Sequence, residues 1–340
     1  MATTAHPPVT LTRRGQKSVS LQRERWKRRG PLLPALIFTI IVTQLPFIIT
    51  LVYSFFSWNL LRTEGRHFAW FENYSRVLSD PATRSALWVT VELTAGAVIL
   101  SLLVGLGCAL LVDRKFLGRG VVRTLLIAPF LVMPAAAALL WKTTMLNPVF
   151  GIVNWVLSPL GVGDVDWASQ YPLLTIIVVE TWHWAPFMML ILLGGLQSQD
   201  RSILEAARVE GAGAFQIFRY LTLPHLRQYI ELGIVLGSIY IVQTFDSIFM
   251  ITQGGPGTST TNLPFALYLK AFRAFNVGQA AALGVIVVIL TILVATVALR
   301  VVSRIFQDEG VSSRVIDVAA FRRREKAATS FQRREKEATS

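Results

Sequence analysis

Six blocks of predominantly apolar residues divide this chain, at roughly 31–57, 86–112, 121–141, 171–193, 228–250 and 279–301. Each matches the about 20 residues of helix needed to cross the hydrocarbon core of a bilayer. Lys and Arg fall only at the block ends, whereas the buried helices of a water-soluble protein would be interrupted by charge. The pattern predicts an all-α integral membrane protein with six transmembrane helices. The first block is too long for a signal-peptide core and reads as a retained anchor. In the second block Gly96, Gly105 and Gly107 predict close helix packing. Pro129 and Pro134 interrupt the third, and Pro186 predicts a kink in the fourth.

The polar segments between the blocks predict shorter elements. After the interfacial aromatics of 53–59, the stretch 68–80 reads as a short interfacial helix or a docking surface. The segment 142–172 predicts a surface helix around 148–158 and then a Gly-rich bend, with Trp155, Trp167 and Tyr171 at the interface. Residues 252–262 form a Gly/Pro turn, and 263–277 an aromatic surface segment. At mid-chain, 200–213 predicts a short helix outside the membrane. Ser202 with Glu205 makes a capping-box pattern, Ala206 and Ala207 give a thin helical surface, and Gly211 and Gly213 end it.

Composition agrees with the pattern: 53% of the 340 residues are hydrophobic and 16% charged, with a mean hydropathy of +0.52. The net charge of +13 might suggest nucleic acid, but its distribution points elsewhere. With both termini placed in the cytoplasm, 26 of the 33 Lys and Arg lie on the inner side and 7 on the outer side. That bias orients the chain, puts 200–224 in the cytoplasm and leaves no nucleic-acid surface. The basic segment 1–30, including Arg13-Arg14, reads as a solvated tail held near anionic membrane lipid. The segment 304–340 ends in a ten-residue unit given twice, FRRREKAATS and FQRREKEATS.

Catalytic signatures are missing from the sequence. It contains no GxxxxGK[ST], HExxH or GxSxG run. Its one cysteine, Cys108, lies in an apolar block, and His6, His67, His183 and His225 lack ligand spacing, so no metal site and no catalytic residues are expected. The chain should not itself hydrolyse ATP. Candidate chemistry lies instead at membrane depth. Glu180 falls near mid-membrane, with His183 and Trp184 three and four residues on and therefore on its helical face. Tyr240, Gln243 and Asp246 recur at intervals of three, predicting one polar helical stripe. Both groups fit either a solute path or hydrogen bonding between helices.

The run Glu205-Ala206-Ala207, then Gly211, then Leu221-x-Leu223-Pro224, resembles the EAA motif of permease subunits of bacterial ABC importers, with Leu221 where that family usually has Ile. The FENY run at 71–74 and the QGGPGTST turn at 253–260 extend the resemblance toward carbohydrate and polyol permeases of the MalF type. It covers most of 31–303, leaving 1–30 and 304–340 outside, and lacks the large outer domain of the maltose permease itself. The resemblance implies a type I ABC importer permease fold and ATPase coupling through Glu205, Ala206, Ala207, Glu210, Gly211, Ala212, Leu223 and Pro224. It implies as partners a second homologous permease, two ATP-binding subunits that hold ATP and Mg, and an extracytoplasmic solute-binding protein. The substrate path would take in Glu180, Trp184, Tyr240, Gln243 and Asp246, with a sugar or sugar alcohol as solute. Another organic solute such as glycerol phosphate is the alternative. A secondary transporter would instead show buried charge pairs in repeated halves, and no such repeat is visible.

Overall fold

The computed structural model describes residues 33–62, 65–161 and 164–301. The basic tail and the duplicated decapeptide lie outside them. The first helix, α1 (Leu33–Ser54), is apolar throughout and exposed from Leu33 to Ile49, as befits a surface facing lipid. Its C-terminal end is held by α2 (Glu72–Ser79), in the stretch read as a short interfacial helix or a docking surface. Buried Asn73 of that helix donates to the carbonyls of Ser54 and Phe56 at 2.9 and 2.8 Å, satisfying backbone groups freed where α1 stops. Two strands of two residues, β1 (Phe56–Ser57) and β2 (His67–Phe68), pair antiparallel beside it. They are a small β element in a chain expected to be all helical.

The body is built on α3 (Pro81–Asp113) and α8 (Pro172–Gln197), the most extensively paired elements. Gly105 makes this approach feasible: a Cβ there would lie 2.7 Å from Met188 Cβ and 2.8 Å from the Met189 nitrogen. Gly96 likewise meets Ile177, whereas Gly107 faces open space and takes no part. Helix α8 runs through Pro186 without a break, so the expected kink does not interrupt it.

The third apolar block is not one straight span. It forms α4 (Arg119–Leu131) and α5 (Pro134–Leu140), the latter continuing as a π-helical turn to Met145, with 101° between the two arms. Pro134 lacks an N–H and its ring restricts Met133, which explains why the helix restarts there. Outside the body lie α6 (Ile152–Leu157), near the expected surface helix, and the single turn α7 (Trp167–Gln170).

After α8 come the short α9 (Arg201–Val209) and α10 (Ala214–Ile217), a π-helical turn over Phe218–Thr222, and α11 (Leu223–Ile241). The fifth apolar block was expected to be continuous to residue 250. Instead α11 ends at Ile241, residues 242–245 are non-helical, and a π-helical turn spans Ile248–Thr252. Buried Asn262 donates to the freed carbonyl of Thr244 at 2.5 Å, the type of compensation that irregular backbone needs at membrane depth. Asn262 also caps α12 (Leu263–Tyr268), whose Leu263 N–H reaches Thr90 Oγ1 of α3. The last helix, α13, spans Val277–Val301.

Among the described residues, four helices are long and apolar enough to cross a membrane, or five if the bent pair counts as one. Helix α11 carries Arg227, Gln228 and Glu231 in its first half and breaks at its C-terminal end, so the sixth expected crossing is not one long apolar helix.

Candidate functional site

Two groups of residues stand out, one beneath the membrane body and one within it. The first is α9 with its flanks. Its start is set by Asp200, whose carboxylate accepts the Ser202 N–H at 2.9 Å. This corrects the expected Ser202/Glu205 capping box: Ser202 lies inside the first turn and donates to the cap. The hydrogen bonds from Ser202 hold the Asp200 carboxyl below its ordinary value, so the cap is ionised and complements the positive end of the helix.

The other end explains the spacing between Ala207 and Gly211. The Ala212 N–H reaches the Ala207 carbonyl at 2.9 Å and the Gly211 N–H reaches that of Arg208 at 3.0 Å. This is a Schellman termination, in which the residue just past the cap takes a left-handed conformation. Gly211 occupies that position with φ +84°. Four residues after Ala207 is where the geometry requires a glycine. Gly213 instead precedes α10 in extended conformation, with Gln216 Oε1 accepting its N–H at 2.9 Å.

The result is a helix fixed at both ends and nearly free along its length. Glu205, Ala206, Glu210, Gly211 and Pro224 are exposed, while Ala207, Ala212 and Leu223 are half-buried. Apolar Ile203 (53% exposed) and Val209 (88%) face outward too. Alanines on a helix without a covering layer let another backbone approach closely.

The second group lies where α8 passes the two helix breaks. Glu180 is 6% exposed. Its Oε2 accepts the Trp184 indole N–H at 3.2 Å and its Oε1 accepts the Ser247 hydroxyl at 2.5 Å. Trp184 stacks on Tyr240 with centroids 5.3 Å apart and planes 20° from parallel. Phe130, just before the α4–α5 bend, meets Trp184 edge-on at 5.6 Å and stacks on Phe187 at 5.4 Å. Tyr240 remains 53% exposed. An aromatic shelf next to a fixed carboxylate suits a molecule with apolar C–H faces and hydroxyl edges.

The expected stripe of Tyr240, Gln243 and Asp246 is not realised as one helical face, because α11 stops between its first two members. Exposed Gln243 folds back to donate to the Ile239 carbonyl at 2.8 Å. Half-buried Asp246 lies past the break, one residue before the Ser247 that holds Glu180. Glu180, Trp184 and Tyr240 are thus brought together, while Gln243 lies within the non-helical segment and Asp246 at the restart of the helix beyond it. His183 is buried against Phe130 and does not join the carboxylate. The sequence reasoning missed Ser247 and Phe130. Ser247 adjoins the Asp246 it singled out, and Phe130 stands between the two helix-interrupting prolines. Among the described residues no three His, Cys, Asp or Glu side chains converge on a metal position.

Residues 98–307 match the family described as binding-protein-dependent transport system inner membrane component. A probable ABC transporter permease of Sinorhizobium fredii is 34% identical over 82% of this chain and 90% of its own. The sulfoquinovosyl glycerol transport system permease of Agrobacterium fabrum is 35% identical over 87% of this chain and 98% of its own. The trehalose/maltose transport system permease of Thermococcus litoralis is 36% identical over 62% of this chain and 71% of its own. A chain in the crystal structure of a bacterial alginate ABC transporter superimposes with a TM-score of 0.69, covering 85% of this chain and 99% of that one at 22% identity. That likeness is one of fold.

Proposed function

The chain belongs to the family of binding-protein-dependent transport system inner membrane components, and from that premise we propose that it is the permease that carries a sugar or sugar alcohol inward through an ABC importer. It is a multi-pass protein of the inner membrane. In this reading it makes six crossings, with the bent α4–α5 pair and the broken α11 segment each completing one, and both termini face the cytoplasm. A second homologous permease completes the passage. Two ATP-binding subunits hold ATP and Mg and perform the hydrolysis, and an extracytoplasmic binding protein delivers the solute. This chain itself carries no cofactor.

The observation that carries the proposal is α9: a short helix capped at both ends, standing clear of the body, with its apolar and alanine surface uncovered. Glu205, Ala206, Ala207, Glu210, Gly211 and Ala212 form the surface held by an ATP-binding subunit, and Leu223-Pro224 returns the chain to the bundle. Closure of the nucleotide-bound ATPase pair then displaces the helix and switches the bundle between outward and inward access.

Glu180, Trp184, Tyr240, Gln243 and Asp246 line the solute path. Two carboxylates and no cation in this group favour a neutral polyhydroxylated solute over a phosphorylated one. The trehalose/maltose permease among the relatives supports the same solute class. Uptake into proteoliposomes carrying the assembled complex and its binding protein tests the proposal, with trehalose, maltose and glycerol 3-phosphate as probes. ATP-dependent uptake of a neutral sugar is expected. Uptake without an ATP-binding subunit, or of glycerol 3-phosphate alone, contradicts it.

A further inference from the structure

The loop that carries α9 is closed by a side-chain cluster that the transport reading does not use. Ser198 is the residue at which α8 ends, two positions before the Asp200 cap. Its Oγ donates to the Gly195 carbonyl at 2.8 Å. His225 lies immediately after Pro224, where the chain re-enters the bundle, and its Nε2 is 3.0 Å from Ser198 Oγ and 3.1 Å from the Gly195 oxygen. A carbonyl oxygen only accepts, so Nε2 carries the proton in this arrangement. Tyr229, one turn further along α11, completes the set with its hydroxyl 2.9 Å from Ser198 Oγ. The two lone pairs of the serine oxygen then receive the imidazole N–H and the phenol O–H, while its own proton goes to Gly195.

The same junction is closely packed. A Cβ at Gly195 would lie 2.6 Å from the Tyr229 ring and 2.7 Å from a Leu226 methyl, so α8 and α11 meet there without a spacer. The cluster reinforces the C-cap of α8 from a different helix: the Gly195 carbonyl, which also accepts the Ser198 backbone N–H at 3.2 Å, takes the Ser198 hydroxyl and the His225 Nε2 of α11. It joins the last residue before the α9 loop to the first residue after it, across 27 positions of sequence.

We propose that Ser198, His225 and Tyr229 are positioning residues that clasp the two ends of the α9 loop, so that a displacement of α9 moves α8 and α11 as one body. Without the clasp, a pull on α9 could be absorbed by opening residues 198–200 away from α11. With it, the pull reaches the two helices that carry Trp184 and Tyr240. The inference rests on the reading that α9 is gripped by an ATP-binding subunit.

The test uses the complete transporter. Spin labels are placed at Gln199→Cys and Gln228→Cys in a Cys108→Ser background, and their separation is measured without nucleotide and with ATP and vanadate. The separation is expected to stay the same in both states and to open with nucleotide in the Ser198→Ala/Tyr229→Phe variant. That variant should also lose roughly fivefold in solute moved per ATP hydrolysed, the factor commanded by one typical net hydrogen bond. His225→Leu should uncouple in the same way, while His225→Gln, which keeps an N–H near the Nε2 position, should restore most of the ratio. A change in amount or stability alone would lower uptake and hydrolysis together and leave the ratio untouched, overturning the clasp. It is equally overturned if the unsubstituted pair separates on binding nucleotide. Failure of the unsubstituted chain to retain any ATP-binding subunit overturns the handle reading first, and the clasp with it.

Discussion

Gly211 offers a perturbation in which backbone strain and partner contact make opposite predictions. Its φ of +84° lies in the left-handed region, and no atom lies within 4 Å of where a Cβ would stand. Substitution therefore meets no internal obstacle, and within this chain the cost is conformational. For an ordinary L-residue it is about 1–2 kcal/mol, a factor of roughly 5–30 in the population of the capped helix end. Asn and Asp tolerate the left-handed region better than Ala. If the glycine served the backbone alone, Gly211→Asn would approach the parent chain and Gly211→Ala would be the poorer of the two. If the position lies against an ATP-binding subunit, size and charge decide. The expected order is then Ala above Asn above Asp, with Asp retaining little partner. The assay is recovery of the ATP-binding subunit on the purified permease, normalised to the amount of permease in the membrane, followed by uptake. Full partner recovery by Gly211→Asn together with loss in Gly211→Ala would refute the docking role and reduce Gly211 to a helix terminator.

Gly105→Val should destabilise the α3–α8 pair by more than the about 1–3 kcal/mol typical of overpacking, because the nearest atoms include the backbone of Ala185 and Met189. Thermal unfolding in detergent reads the loss, and an unchanged midpoint would contradict the close approach. Glu180→Leu leaves the Trp184 indole and the Ser247 hydroxyl without their acceptor, at about 1–3 kcal/mol for each stranded group. Uptake should fall strongly and recover in part with Glu180→Gln, whereas equal uptake by both variants would show that the tie is dispensable. At the N-terminal end of α3, burial raises the Asp80 carboxyl, but Lys270 at 3.0 Å and the Ala82 N–H outweigh it, for a net depression below 3.8. A depressed carboxylate stabilises above its unfolded value and loses that contribution only as pH falls through the folded one. The stability difference between the parent and Asp80→Asn should therefore be flat between about pH 5 and 8 and shrink only in stronger acid. A slope across the neutral range, measured by unfolding at several pH values, would disprove the assignment.

What could be read from the sequence depended on whether a feature was local. Four of the six apolar blocks located helices to within about five residues, because hydrophobicity and length suffice for that. The α9 helix was legible because Ala207 and Gly211 stand at the separation a Schellman ending needs, although its start was misplaced: Asp200 takes the cap in place of Ser202 and lies one position before the first helical residue. The breaks at 132–133 and 242–245 were less legible. Pro129 and Pro134 flagged the first, but not the size of its 101° bend. The second has no proline or glycine, and what stabilises it is Asn262, eighteen residues downstream, supplying a hydrogen bond to Thr244. A periodicity argument cannot see that, so Tyr240, Gln243 and Asp246 were placed on a stripe that does not exist. The contact between Glu180 and Ser247, 67 positions apart, was equally invisible.

The positions of these breaks bear on how a handle outside the membrane could govern a path within it. Helix α11 begins at the return from the handle and ends one residue after Tyr240. Helix α8 carries Glu180 and Trp184 and ends at the junction with Ser198. Both therefore connect the aromatic shelf to the loop that carries α9: Tyr240 stands one residue from the end of α11, and Trp184 stands at the middle of α8. At about 1.5 Å per residue, the 19 residues of α11 reach about 28 Å. A regular helix packed through glycines stores little deformation along that length, since changing its length means breaking backbone hydrogen bonds that membrane surroundings cannot replace. Motion applied below is therefore delivered to the nearest segments without a continuous hydrogen-bond ladder, namely 242–245 and the α4–α5 bend. Those are the segments next to Tyr240 and Phe130. The polar ties that fix the shelf, Glu180 to Ser247 and Asn262 to Thr244, cross one of these breaks, so altering the break alters what the shelf can hold. Helix continuity on one side and discontinuity on the other thus place the irregular segments of the bundle beside the residues proposed to meet the solute.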